Sequence, residues 1–305
     1  MPKQPQAAFE SVFAFSPNRA TLGGTSYLIL GNRAGGVEAI PSPIPNPQPN
    51  GGGPWSDRPP ETGDPQGNDR DRNDSPFSQH CVQDGLPQDD DLPQINGLAD
   101  NCLIDCPPWD EGMEALLRER GGIGWLIITN RDGIATLKTV REIQNAFKCQ
   151  VVIQEQEAYL LPGLELKTFH RELAIAPDLQ VIWTPGYSPG SSCVYLNRYG
   201  GTLFSGRHLL PTPDGNLRPQ RHPKTFHWTR QLKHVEALRS RFTAHTLQHC
   251  CPGANIGILK KSLKNPDTQG DKKGGNAIYH IAHAQLVQSL EALNPLDSGS
   301  LETTV

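Results

Sequence analysis

The chain has 305 residues, a net charge of −4 at neutral pH and 36% hydrophobic residues. That leaves room for one or two domains, yet it is too polar for a chain folded uniformly along its length, so part of it is expected to be solvated. No run of eighteen apolar residues is present to span a membrane, and Met1-Pro2-Lys3-Gln4 does not lead into the apolar core of a secretory signal, so a cytoplasmic protein is expected.

Thr25 to Asn32 reads as a strand. Beyond it Pro41, Pro43, Pro45, Pro47 and Pro49 alternate with polar residues, Gly51-Gly52-Gly53 follows, and an acidic, proline-rich stretch runs through Asp89-Asp90-Asp91. So little apolar surface cannot offset the entropy of ordering, and residues 41–98 are predicted to be a disordered insertion that also holds most of the excess acid. Asn101 to Cys106 reads as the next strand, which places the insertion in a hairpin loop, where closure entropy grows slowly with length. A single domain of residues 1–40 and 99–295 is therefore expected, with a flexible tail at 296–305.

Asp110 to Arg120 is predicted helical, with Met113, Leu116 and Leu117 on one face, acids in its first turn and Gly121-Gly122 as its stop. Gly124 to Ile128 is a buried strand, Thr136 to Phe147 a helix with Leu137, Val140, Ile143 and Phe147 on one side, and Gln150 to Ile153 a strand. A short helical turn at Ala158 to Leu161 precedes strands at Leu164 to Phe169, Leu179 to Thr184, Ser192 to Asn197 and Thr202 to Ser205. A helix from Thr225 to Phe242, a strand from Thr243 to Cys250, a polar linker from Lys260 to Gly275 and a helix from Ala277 to Leu293 complete the chain.

The seven cysteines, Cys81, Cys102, Cys106, Cys149, Cys193, Cys250 and Cys251, are odd in number and lack metal-site spacing, so buried free thiols are expected. Cys102 and Cys106 are placed on one strand face by their spacing of four. His245 with His249, and His280 with His283, supply two donors each, which make no closed zinc site. The basic residues Arg218, Arg221, Lys224, Arg230, Lys233, Arg239 and Arg241 lie among Phe226, His227 and Trp228. Trp228, Leu232, Val235 and Leu238 form a core stripe at helical spacing and leave the charges as a solvated face, which argues against a nucleic-acid partner.

Three passages remain that carry site-like spacing: Ile128-Thr129-Asn130-Arg131-Asp132-Gly133-Ile134-Ala135, then Thr184-Pro185-Gly186-Tyr187-Ser188-Pro189-Gly190-Ser191-Ser192, then Leu203-Phe204-Ser205-Gly206-Arg207-His208. With Cys251-Pro252-Gly253-Ala254 they resemble, in order and spacing, the metallo-β-lactamase superfamily. The motifs there are a strand ending in Thr followed by His-x-His-x-Asp-His, then Pro-Gly-His-Thr-Pro-Gly-Ser, Ser-Gly-Asp and Pro-Gly-His. The resemblance covers about residues 11–40 and 100–255 and implies a four-layer αββα sandwich. It places the loops carrying Asn130 to Ala135, Tyr187 and Arg207 around one cleft.

Matched residue by residue, the resemblance puts the family's first two histidines on Asn130 and Asp132, its aspartate on Ile134 and the following histidine on Ala135. Tyr187 takes the next histidine, Arg207 the metal-bridging aspartate and Ala254 the last histidine. A catalytic zinc needs at least three donors and an open position, whereas Ile134 and Ala135 donate nothing and an arginine cannot lose its proton. The two zinc or iron ions that the family would use are accordingly not expected, and no other cofactor is implied. Arg207 could pair with Asp132 and replace part of the metal's charge, or point into solvent. Tyr187 fills the emptied cavity or donates to a ligand, and His208 is a candidate acid or base. Two functions follow. One is a non-catalytic binding, assembly or regulatory protein whose partner is a protein or small molecule, with the acidic insertion as an interaction arm. The other is a hydrolase with a remodelled, metal-independent site at Asp132, Tyr187 and His208.

Overall fold

The computed structural model describes residues 4–32, 98–212, 216–253, 279–280 and 282–291. The predicted insertion up to residue 97, the polar linker, the tail, Cys81 and Ala254 lie outside the described residues.

Seven strands form the first sheet in an order that follows the chain: β1 (Gln6–Phe9), β2 (Val12–Ala14), β3 (Tyr27–Ile29), β4 (Cys102–Ile104), β5 (Trp125–Ile127), β6 (Gln150–Gln154) and β7 (Leu166–Phe169). The first four pair antiparallel and the last four parallel. Helices make the parallel crossovers. Helix α1 (Glu111–Glu119) starts where Asp110 Oδ1 accepts the Met113 amide at 2.7 Å, and it buries Met113, Leu116 and Leu117. Helix α2 (Leu137–Phe147) is capped by Thr136, buries Val140 and Ile143, and ends as Lys148 turns left-handed.

The second sheet comprises β8 (Glu172–Ala176), β9 (Leu179–Trp183), β10 (Ser192–Leu196), β11 (Thr202–Gly206), β14 (His249–Pro252) and β15 (Tyr279–His280), in the order β15-β14-β11-β10-β9-β8. A short ribbon of β12 (Leu210–Pro211) and β13 (Leu217–Arg218) follows β11, and the remaining helices are α3 (Trp228–Arg241) and α4 (Ala282–Glu291). None of the described helices is long and apolar enough to cross a membrane.

The two-residue period of the strands distributes their side chains between three cores. Cys102 and Ile104 of β4 meet Val194 and Leu196 of β10 between the sheets. Leu103 faces the other way, toward Leu117 and Ile143 of the first helix layer, and Cys193 and Tyr195 face Val235, Leu238 and Leu286 of the second. These are the layers of the αββα sandwich. At the end remote from the β4 terminus, Asn32 donates to Leu98 O at 2.8 Å and closes the β3–β4 hairpin across the long intervening segment. There Asp178 accepts the Leu98 amide at 2.7 Å and Arg198 Nε at 2.8 Å, while Arg198 Nη1 donates to Leu30 O at 2.9 Å.

Several boundaries differ from the sequence reading. Helix α3 begins at Trp228, not Thr225, because the Phe226 and His227 amides donate to Tyr187 O and Gly186 O, leaving His227 as the cap. Its inward stripe is Gln231, His234, Val235 and Leu238, with Trp228 and Leu232 half-buried. The strand expected from Thr243 starts at His249, since Thr243 and Thr246 close a side-chain turn, with the Thr243 amide on Thr246 Oγ1 at 2.9 Å. The predicted helical turn is a 3-10 helix over Glu155–Leu160, and residues 279–280 pair with β14 before α4 begins. Cys102 and Cys106 fall in different cores because β4 ends at Ile104 and Asp105, with φ +56°, breaks the two-residue alternation. All six described cysteines are buried and free.

Candidate functional site

Strand β5 and its extension end on Thr129, fully buried, which donates its amide to Asp105 Oδ1 at 2.8 Å and its hydroxyl to Oδ2 at 2.7 Å. The carboxylate thus anchors the first motif from the neighbouring strand. Asn130 then caps a 3-10 turn over Arg131–Ile134: its Oδ1 accepts the Asp132 amide at 3.0 Å and its Nδ2 donates to Thr129 Oγ1 at 2.9 Å. Gly133 is required here, since a Cβ on it would lie 2.1 Å from Asp105 Oδ1. Ile134 is buried in the helix-side core, and Ala135, at φ +58°, packs beside it.

The second motif follows β9. Within the loop, Ser188 Oγ and Ser191 Oγ lie 2.9 Å apart, and Thr184 donates its amide to Ser191 O at 2.8 Å. At Gly186, φ is +149° and a Cβ would meet Gln231 Cα at 2.4 Å, so only glycine lets the start of α3 pack on this loop. The loop aims Tyr187 inward, 3% exposed, with its hydroxyl donated to Asp132 Oδ2. Burial, and then the adjacent Asp132, push the phenol's pKa up. Behind the loop, burial also raises the carboxyl of Glu157, against the lowering effect of the Ser188 hydroxyl and the Gly190 and Arg131 amides that face it.

The third motif ends β11 at Gly206, φ +51°, whose carbonyl accepts the Gly253 amide at 2.8 Å. Arg207 does not pair with Asp132. Its Nη2 donates to Thr21 O at 2.8 Å and Leu22 O at 3.1 Å and so ties the β2–β3 loop to the strand end. His208 is also absent from the cleft: it is 1% exposed, neither ring nitrogen has a partner, and burial, then the neighbouring His234, hold its pKa down at about 3. A ring held neutral and away from solvent in this way exchanges no proton with a ligand in the cleft.

The cleft is lined by Thr21, Gly24, Asp105, Asn130, Asp132, Gly133, Gly206, Arg207 and Gly253, and the space open to the centre of a water molecule is about 10 Å³. That admits about one water. Asn130, Asp132 and Arg207 thus share one cleft, Tyr187 reaches it through Asp132, Ile134 and Ala135 belong to the core, and Ala254 lies outside the described residues. Asp105 is the member the sequence reading missed. Its signal was an acid closing the apolar strand Cys102 to Ile104, the strand end at which open α/β sheets place ligands. Burial pushes its pKa up to about 6, Asp132 adds to this, and the two Thr129 hydrogen bonds and the Arg207 charge work against it.

A di-metal centre does not fit these donors. Among the described residues no three His, Cys, Asp or Glu side chains converge as ligands, Asp132 is engaged by a phenol and Asn130 by its own loop. No protein-family model matches the sequence, and no curated protein matches it. Solved structures do. A metallo-β-lactamase from Staphylococcus aureus matches over 98% of this chain and 69% of its own, with a TM-score of 0.51 at 12% identity. An archaeal metallo-β-lactamase superfamily protein from Sulfolobus tokodaii matches over 64% of this chain and 86% of its own, at a TM-score of 0.35 and 14% identity. An N-acyl homoserine lactone hydrolase matches over 47% and 74%, at 0.35 and 15%.

Proposed function

Because the chain carries the metallo-β-lactamase fold, we propose that it is a non-catalytic binding or assembly protein in which the position of the metal centre has become a structural contact. The carrying observation is the Tyr187 hydroxyl on Asp132 Oδ2. Asp132 is the one good donor at the matched positions within the described residues, and the phenol takes one of its two oxygens. A metal entering there would have to displace a buried tyrosine and would still lack a third ligand. The cleft supports the same reading, since the space beside the carboxylate admits about one water. Arg207 adds a fixed positive charge to the cleft wall, a further penalty on binding a cation. In this reading the protein works in the cytoplasm, and the acidic segment over residues 41–98 serves as an interaction arm.

Metal analysis of protein purified without chelator tests the proposal. Zinc, iron and manganese should each stay far below one per chain, and a chelator should leave the thermal midpoint unchanged. About one tightly held transition metal per chain, with loss of fold or of a hydrolytic activity on chelation, overturns it.

A further inference from the structure

Among the described residues, the large apolar side chains left exposed are Leu22 at 46%, Tyr159 at 73% and Phe226 at 53%. Single exposed hydrophobics are ordinary, but these three sit on segments that touch the cleft wall or the Tyr187 loop, Tyr159 on the 3-10 helix Glu155–Leu160. Leu22 lies next to Thr21 of the cleft wall, and its carbonyl accepts from Arg207. Phe226 hangs on Tyr187, its amide donating to Tyr187 O at 2.9 Å. Tyr159 follows Glu157, which packs so closely on the Tyr187 loop that a Cβ on Gly190 would meet its Cγ at 2.7 Å. Leu22 is also left-handed, at φ +55°. A leucine there costs backbone energy that glycine would not, and it presents an isobutyl group to water. Neither property stabilises the fold.

Toward solvent the charges on the same segments are mainly cationic, with the half-exposed Asp132 and the exposed Glu155 as the acids among them. Arg19, Arg221 and Lys224 are exposed, Arg131 and Arg207 half-exposed, and Arg131 Nη2 holds the 222–227 loop in place through Lys224 O at 2.7 Å. The carboxylates of the cleft are turned in or engaged, Asp105 by Thr129 and Asp132 by Tyr187, and on the Tyr159 side Glu155 is taken by His170. A basic rim around a closed cleft, set with one aliphatic and two aromatic side chains, complements an acidic polypeptide that carries apolar residues.

We infer that the loops bearing Leu22, Arg131, Tyr159, Lys224 and Phe226 form a docking surface for an acidic, apolar-studded segment of a partner protein. The inference rests on the proposed binding function and names its partner class. An aliphatic contact such as Leu22 and a cleft that admits about one water favour a polypeptide over a single-stranded nucleic acid, which needs a channel with stacking faces.

The test uses the full chain and a fluorescein-labelled peptide of glutamates interspersed with leucine and phenylalanine, followed by anisotropy. Saturable binding is expected, weakened by about fivefold or more in Phe226→Ala and in Leu22→Gly, and by about tenfold or more in the double variant Arg221→Glu with Lys224→Glu. Leu22→Gly should keep or raise the thermal midpoint while losing affinity, which separates a binding role from a structural one. Absence of saturable binding, or affinities unchanged in Phe226→Ala and Leu22→Gly, overturns the inference. So does tighter binding of oligouridylate through the same side chains, which would make this a nucleic-acid surface. Binding that emerges only when Asp89, Asp90 and Asp91 are changed to asparagine would put this chain's own acidic stretch on the surface and overturn the assignment to a partner. Metal content and hydrolysis are read separately, so a failed peptide titration in a metal-free protein sinks the surface alone, and a metal-loaded hydrolase that binds the peptide sinks the non-catalytic reading alone.

Discussion

If the Tyr187 hydroxyl on Asp132 replaces metal coordination as the tie between the first two motif loops, its removal has a calculable cost. Tyr187→Phe keeps the buried ring and deletes only the donor. A hydrogen bond to a charged group contributes about 1.5–3 kcal/mol, and Asp132 is half-exposed, so water recovers part of the loss and about 1–2 kcal/mol should remain. Asp132→Ala strands the phenol instead, with a loss of similar size. The double variant should lose much less than the sum, giving a coupling of about 1–2 kcal/mol in guanidinium unfolding with unchanged m-values. Arg207 supplies the control. Its guanidinium serves Thr21 and Leu22 carbonyls, so Arg207→Ala and Asp132→Ala should combine additively within about 0.5 kcal/mol. Additive Tyr187 and Asp132 losses, or strong coupling of Asp132 to Arg207 instead, would refute the assignment.

The Arg198–Asp178 pair, 12% and 10% exposed, holds both ends of the interrupted hairpin, so Arg198→Ala should cost about 3–5 kcal/mol in the same unfolding assay, with Arg198→Lys recovering only part. A loss below about 1 kcal/mol would show that the hairpin ends hold without it. Acid stability should reflect two buried groups of opposite sign. His208 titrates at about 3 when folded against 6.5 ordinarily, so the unfolded chain takes the proton and stability falls as pH drops through that window, by at most about 1.4 kcal/mol per unit. Asp105 titrates at about 6 against 3.8, so the folded chain takes that proton and stability falls as pH rises from 3.8 to 6. The two slopes offset between pH 4 and 6. His208→Leu should therefore become less stable from pH 4 to 6, and Asp105→Asn more stable, in urea unfolding at each pH. Parallel profiles for wild type and both variants would show that neither group is buried as described.

The strands and helices of the interior were legible because their signal is local. Trp125 to Ile128 and Val151 to Ile153 are apolar on both faces, as strands between a sheet and a helix layer must be, and Met113, Leu116 and Leu117 mark the inward side of α1. β1 and β8 are half-exposed edge strands with too little apolar alternation to read, and β2, though largely buried, is only three residues long. In the site, the motifs singled out Asn130, Asp132 and Arg207, which share the cleft, but their partners could not be read. The Tyr187 contact to Asp132 spans 55 residues, and Arg207 reaches 186 residues back to Thr21. Such contacts depend on which way a loop aims a side chain. Gly186 and Gly206 set that aim through positive φ, which the sequence displays only as glycine. His208 was misread for the same reason: adjacency to Arg207 put it near the cleft in the chain, while the turn after β11 sends successive side chains to different sides.

A metal bridging histidines and aspartates from separate loops would cross-link those loops, so a chain without such ligands needs other ties to keep the same ends of two sheets together. Here the ties are hydrogen bonds spread over several loops. Tyr187 joins the second loop to the first, Ser192 donates its amide to Thr129 O at 2.8 Å between the two sheets, Arg207 joins β11 to the Thr21–Leu22 turn, and Gly253 binds Gly206 O. Asp105 fastens the first loop to β4 through Thr129 and stands where a Cβ at residue 133 would strike it. Hydrogen bonds of this kind contribute about 0.5–3 kcal/mol each, so several are needed where one coordination sphere would serve. The cleft admits about one water, and under the proposed binding function recognition would sit at its rim, where Leu22, Tyr159 and Phe226 meet solvent.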